Sequence, residues 1–331
     1  MTGPARILPA TDPAALEEAA AMLARGELVA IPTETVYGLA GASTMADAIA
    51  RIYAAKGRPS HNPLISHVSG IAMAERYVRF DDRARALAEA FWPGPLTLVL
   101  PLLPGSGIDR ASTAGGDLAA IRAPRGFAHE LIARLDLPLA VPSANRSGRI
   151  SPTNARHVMA DLGDRLGLIV DGGPTEIGVE STVVRVRPDG IDILRAGVIT
   201  PDQIAMAAGF DLHDVAASGG DGGVLISPGM LSSHYAPRAR VRLMARDVAP
   251  GEALITFAGQ ALPGQERAAL VLDLSPSGDL AEAARRLFGM LHQADATGAA
   301  SIAVAPIPDH GIGTAIIDRL TRAAAPRDES R

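Results

Sequence analysis

The chain reads as an α/β protein of more than one domain, and three observations predict it. Its 331 residues suit one large or two modest domains. Short apolar runs alternate with helical stretches along most of its length. A stretch rich in Gly, Ala, Ser and Asp at 211–224 interrupts this alternation. Beyond it, apolar runs at 253–257, 269–274 and 302–305 are interleaved with helical stretches at 280–292 and 313–323. That order predicts a small parallel α/β domain. The division is therefore 1–210, a linker at 211–238, and 239–331.

Composition narrows the function classes. Hydrophobic residues make up 47% of the chain and aromatics only 3%, so the core is built from Ala, Leu, Ile and Val. The absence of cysteine excludes disulfides, thiolate metal sites and thiol catalysis. A net charge of −5 offers no electrostatic footprint for stable nucleic-acid binding. No run approaches the roughly 18–20 apolar residues of a membrane span, and residues 1–9 lack a secretory hydrophobic core. The expectation is a soluble cytoplasmic protein with no membrane partner.

In chain order, Asp12-Pro13 is a cap and first-turn signal for a helix that runs to Gly26. Residues 28–31 read as a buried strand that empties into Pro32-Thr33-Glu34-Thr35-Val36-Tyr37-Gly38. Polar groups leaving a buried strand are a common way to build a ligand site in α/β folds, although a threonine-rich turn is also an ordinary structural feature. Residues 46–55 read as a helix, 64–68 as a strand, 71–78 and 82–91 as amphipathic helices. Trp92-Pro93-Gly94-Pro95 sets a tight turn into a strand ending at Leu100. The glycine-rich loop at 103–116 lacks the lysine and spacing of a P-loop. Strands follow at 118–122, 137–141 and 168–170, and a helix at 201–209.

Of the 31 Lys plus Arg residues, 30 are Arg; Lys56 is the one lysine. Lys is a compact, mobile point charge and Arg a planar fork, so an ammonium kept here points to a specific anion contact. Pro59 favours an extended Arg58, which would aim Lys56 and Arg58 at one anion. The plain alternative is a helix C-terminus carrying its usual cations and closed by Gly57. Arg122, at the end of an apolar strand, must find an anion or reach solvent.

Pro32-Thr-Glu-Thr-Val-Tyr-Gly-Leu39, followed by Lys56-Gly-Arg-Pro-Ser-His-Asn-Pro-Leu64, resembles the YrdC-type threonylcarbamoyl-AMP synthases. The likeness continues through Ser143-Ala-Asn145, Gly178-Val-Glu-Ser181-Thr182-Val, Ile193-Leu-Arg195 and His234-Tyr235-Ala-Pro237. The last of these marks the long, two-domain form. The resemblance implies a twisted open mixed sheet with flanking helices, joined to a smaller Rossmann-like domain. It implies a threonine pocket of Thr33, Thr35, His67, Arg122, Ser181 and Thr182. It places ATP on Lys56, Arg58, Asn62, Ser143, Asn145, Ser151, Arg195, His234 and Tyr235, with Lys56 and Arg58 carrying the catalysis. Mg²⁺ is expected to arrive with ATP rather than in a protein cage.

The implied reaction joins L-threonine, bicarbonate and ATP into L-threonylcarbamoyl-AMP and pyrophosphate, a nucleotidyl transfer. Its product would pass to tRNA threonylcarbamoyl transfer enzymes, for modification of an adenosine next to the anticodon. Three reacting groups are anionic, and the cations gathered in these motifs suit them without a protein nucleophile. An RNA-binding module or a carbamoyltransferase-related module is the alternative. The first calls for a basic surface, and the second for accompanying segments absent from this sequence. The segment at 227–237 is expected to close over the nucleotide.

Overall fold

A computed structural model of the chain describes residues 4–187, 189–211, 215–217 and 234–326. Most of the linker read from composition, including most of the segment 227–237 expected to close over the nucleotide, lies outside the described residues. The chain forms two compact units. The first comprises 1–147, 152–175 and 180–230; the second comprises 148–151, 176–179 and 231–331.

In the first unit, strands β1 (Arg6–Pro9), β2 (Val29–Ile31), β3 (Gly38–Ala42), β4 (Ile65–His67), β5 (Leu96–Pro101), β6 (Leu118–Arg122), β7 (Leu139–Ala140), β8 (Leu168–Asp171), β9 (Thr182–Arg187), β10 (Gly190–Arg195) and β11 (Val215–Ala217) form one sheet. Their order is β1-β8-β2-β3-β7-β4-β6-β5-β9-β10-β11. Pairings are mixed: β2 is antiparallel to β3 and parallel to β8, and β4 is parallel to β6 but antiparallel to β7. Both faces are covered. Val29 and Ile31 join one core, Leu28 and Ala30 the other, which is the period-2 alternation of a strand.

Helices α1 (Pro13–Ala24), α3 (Ile71–Ala74), α4 (Asp82–Phe91), α5 (Phe127–Leu135) and α7 (Pro201–Ala208) supply Leu23, Met73, Leu87, Leu131 and Ile204 to the first core. Helices α2 (Ala46–Lys56) and α6 (Ala155–Leu162) supply Ile49, Ile52 and Val158 to the second. Local signals set the ends. Asp12 accepts from Ala14 N at 2.9 Å and Pro13 opens α1. Thr200 and Gln203 form a reciprocal capping box on α7.

The second unit holds a four-stranded parallel sheet of β12 (Arg240–Arg242), β13 (Ala253–Thr256), β14 (Leu270–Asp273) and β15 (Ser301–Val304), in the order β12-β15-β13-β14. Helices α8 (Leu280–Ala296) and α9 (Ile312–Ala324) pack on each other. The two short segments from earlier in the chain are part of this unit. Ala236 N donates to Gly148 O at 2.8 Å, and His292 Nε2 lies 3.3 Å from Ser151 O. Gly178 has φ +79°, and a Cβ there would come within 2.3 Å of the Arg285 carbonyl oxygen on α8. None of the described helices is long and apolar enough to cross a membrane.

Three local readings change. The helix expected over 71–78 is only four residues long, because Val78 instead bridges Leu102 and Tyr77 O accepts from Leu103 N. The strand expected over 137–141 narrows to two residues. Lys56 and Arg58 are not two residues of one extended segment: Lys56 is the last residue of α2, and Gly57 closes it in the left-handed conformation at φ 58°. The helix α5 and the strands β1, β3 and β10 are not among the elements read from the sequence, although α5 buries Ala128, Leu131 and Ile132 at helical spacing. The dense Gly and Ala of β3, whose five residues are all buried, is one reason.

Candidate active site

The site is built from polar segments that leave buried strands of the first unit. After β2, Thr33 Oγ1 donates to Val36 O at 2.7 Å. Thr35 Oγ1 lies 2.9 Å from Thr33 Oγ1 and accepts from Arg122 Nη1 at 2.9 Å. The two hydroxyls thus form a directed chain from the guanidinium to a backbone carbonyl. At the end of β6, Arg122 Nε also donates to Gly94 O at 3.1 Å. The Trp92–Pro95 turn, which reads as purely structural, therefore supplies an acceptor that fixes this arginine.

Glu34 is the residue the sequence reading passed over. Its Oε2 lies 2.7 Å from Arg122 Nη2, with the two side chains 2% and 4% exposed. Arg125 N donates to the same oxygen at 3.3 Å. Removing one partner of a buried ion pair typically costs about 3–5 kcal/mol. The signal available in the sequence was an acid between two threonines at the mouth of a buried strand; its partner is 88 positions away and has no local trace.

His67, at the end of β4, faces the arginines Arg122 and Arg195. Burial, reinforced by these two guanidiniums, holds its pKa well below the ordinary histidine value, against the Ile65 carbonyl. A neutral imidazole in this position adds no charge to an already cationic pocket. Ser181 Oγ hydrogen-bonds Thr97 Oγ1 at 2.8 Å and accepts from Arg195 Nη2 at 3.0 Å. Arg195 Nε also donates to Ser181 O at 3.0 Å. Thr182 Oγ1 donates to Ile199 O at 3.0 Å and accepts from Ile199 N at 3.1 Å. Gly197 is required here: a Cβ would sit 2.4 Å from Thr182 N.

A second group forms where α2 ends. Lys56 is 3% exposed, and its Nζ donates to Ser143 O and Asn145 O, each at 2.5 Å. Burial pushes its pKa well below the usual lysine value, with Arg58 adding to the effect and Asp161 opposing it. Arg58 donates to Asn62 O, Asn62 Oδ1 and Pro63 O at 3.0, 2.6 and 2.7 Å. Asn62 Nδ2 is buried and meets no acceptor among the described residues. The two groups are joined through backbone: Gly38 bridges Ser143, and Ala144 N donates to Tyr37 O at 2.8 Å. The Ser143–Asn145 loop therefore runs alongside the segment that follows the threonine turn.

Of the sequence-read residues, Thr33, Thr35, Arg122, His67, Ser181, Thr182 and Arg195 form one neighbourhood, and Lys56, Arg58, Asn62, Ser143 and Asn145 the other. Ser151, His234 and Tyr235 belong to the second unit. There Tyr235 is 1% exposed, 5.3 Å from the Phe288 ring, with the Arg319 guanidinium 5.4 Å from its centroid. His234 stacks edge-on against it at 4.1 Å.

These features have counterparts in known proteins. A Sua5/YciO/YrdC family model, described as telomere recombination, matches residues 21–197. A model described as the C-terminal domain of threonylcarbamoyl-AMP synthase matches 199–325. The threonylcarbamoyl-AMP synthase of Bacillus subtilis is 40% identical, covering 94% of this chain and 93% of that one. Its namesake from Pyrococcus abyssi is 36% identical, covering 93% and 94%. The crystal structure of P. abyssi Sua5 complexed with L-threonine superposes with a TM-score of 0.83 at 35% identity, over 93% of this chain and 94% of that one. Motif, site and fold thus agree over nearly the whole length, and the chain belongs to the Sua5/YrdC family of threonylcarbamoyl-AMP synthases, in the form that carries the Sua5-type C-terminal domain.

Proposed function

We propose that this protein joins L-threonine, bicarbonate and ATP into L-threonylcarbamoyl-AMP and pyrophosphate, and so acts as a nucleotidyltransferase. One observation carries the reading: Lys56, Arg58, Arg122 and Arg195 are all at most 8% exposed, and every one is held by polar groups of the first unit. Three of these buried cations, with Arg122 in an ion pair with Glu34, make a site for several anions at once. In this scheme the threonine carboxylate is served by Arg122 Nη2, which has no aligned acceptor among the described residues. The amine adds the carbon of bicarbonate with loss of water, and a carbamate oxygen then attacks the α-phosphorus, expelling pyrophosphate. Lys56, Arg58 and Arg195 offset the charge of the phosphates, and Asn62 Nδ2 offers a further donor. Fixed donors of this kind need no reorganisation during the reaction.

The described residues contain no group of three His, Asp or Glu side chains that could cage a metal. Mg²⁺ would be held by nucleotide phosphates and water, where it would offset phosphate charge. The product would go on to the enzymes that transfer threonylcarbamoyl to tRNA. Ser151, His234 and Tyr235 keep their proposed role toward the nucleotide. P. abyssi Sua5 with an adjacent His and Tyr both replaced by Ala, a structural neighbour at TM-score 0.84 and 32% identity, makes the pair a natural target. Pyrophosphate release is the test. It is expected to require both threonine and bicarbonate, to stop on chelation with EDTA and to return with Mg²⁺; ATP turnover indifferent to threonine would refute the reading.

A further inference from the structure

Two polar atoms remain over in the threonine neighbourhood. The Glu34 Oε2 to Arg122 Nη2 contact is close, at 2.7 Å, but lies off the N–H direction, so Nη2 has no aligned acceptor among the described residues. Glu34 Oε1 is likewise buried and meets no donor among them. A buried carboxylate oxygen left without a donor is costly, because its desolvation goes uncompensated. An unmatched acceptor and an unmatched donor therefore sit on two side chains already in contact. Their charges cancel, so the pair has no net preference for an anion or a cation. What matches it is a molecule carrying both signs on neighbouring atoms.

We propose that Glu34 is a substrate-binding residue: its Oε1 accepts a hydrogen bond from the amino group of the amino acid, while Arg122 Nη2 serves the carboxylate. This rests on the reading of the site as one for threonine. The consequence is specific. Glu34 and Arg122 together read an α-amino acid as a zwitterion and reject a hydroxy acid that lacks the amine. The ammonium releases one proton to solvent and exchanges a second N–H for the new N–C bond, so the carbamate nitrogen keeps one N–H and the same contact survives the first step. The negative charge on Glu34 then repels the new carbamate oxygens and directs them away from itself. His67, neutral beside Arg122, adds no positive charge that would repel the amino group.

Calorimetric titration of the full chain with L-threonine and with 3-hydroxybutanoate, which lacks only the amino group, tests this. Wild-type protein is expected to bind L-threonine at least about tenfold more tightly than 3-hydroxybutanoate, the scale of one charge-assisted hydrogen bond. In Glu34→Gln the affinity for L-threonine should fall by about tenfold or more, with that for 3-hydroxybutanoate changed less than about twofold. Equal losses for both ligands would overturn the inference and leave Glu34 only as a support for Arg122. If Glu34→Gln does not fold, the wild-type comparison decides: similar affinities for the two ligands overturn the inference. No binding of L-threonine by the wild type would instead overturn the reading of the site itself.

Discussion

Lys56 shows how much a single side chain can be asked to do. Its Nζ holds two carbonyls of the Ser143–Asn145 loop at 2.5 Å inside a site where it is 3% exposed. A guanidinium carries the same charge but a wider, planar fork, and cannot place one nitrogen between those two oxygens. Lys56→Arg should therefore keep the fold and lose about 10²–10³ in turnover, the usual cost of one preorganised charge contact. Steady-state kinetics with a matched melting curve checks it; a near-normal rate would show that the lone lysine is incidental. Glu34 teaches the complementary lesson. The sequence shows its place between two threonines, but not that it pairs with Arg122.

At the scale of an element, the parallel sheet of the second unit is tied together by an acid. Glu252, just before β13, accepts from Arg242 Nη2 at 2.7 Å, from Ala249 N at 2.8 Å and from Ser301 Oγ at 2.8 Å. Arg242 and Ser301 come from β12 and β15, so this one carboxylate spans three strands. The Arg242 hydrogen bond, opposed by burial and helped by Ala249 and Ser301, lowers its pKa to about 2. A depressed carboxylate stabilises the fold fully above its ordinary value and loses that contribution as pH falls through the folded value. Arg242 is 40% exposed, which screens the pair, so the contribution is on the order of 2 kcal/mol. Glu252→Gln should be less stable than wild type by that order near neutrality, with the difference closing as pH falls from about 4.5 toward about 2. Urea titrations across that range measure it; a difference independent of pH would mean that packing dominates.

At the scale of the whole molecule, the second unit is not a simple C-terminal appendage. It includes 148–151 and 176–179, which lie close in sequence to two residues of the candidate site, Asn145 before the first and Ser181 after the second. Gly178 holds φ +79° against the backbone of α8 at Arg285. A side chain there meets both a disfavoured backbone and a rigid helix, so Gly178→Ala should cost more than about 1 kcal/mol. Hydrogen exchange is expected to quicken across 176–182, and the apparent affinity for threonine to weaken with it. Unchanged exchange in that segment would show that α8 does not hold it.

What the sequence determines by itself is local and chemical. Asp12-Pro13 and Gly57 mark helix ends that the structure has where they are read. The alternation past residue 239 is the parallel sheet with two packed helices, and the motifs name the family. These follow because caps, breakers and period-2 or 3.6 burial act over a few residues. Tertiary structure alone decided where the charges went. Arg122 meets Glu34 across 88 positions, Lys56 reaches carbonyls 87 and 89 positions away, and the segments 148–151 and 176–179 belong to the smaller unit. Sheet order creates those meetings: a strand's pattern records which face is buried, but not which strand lies beside it.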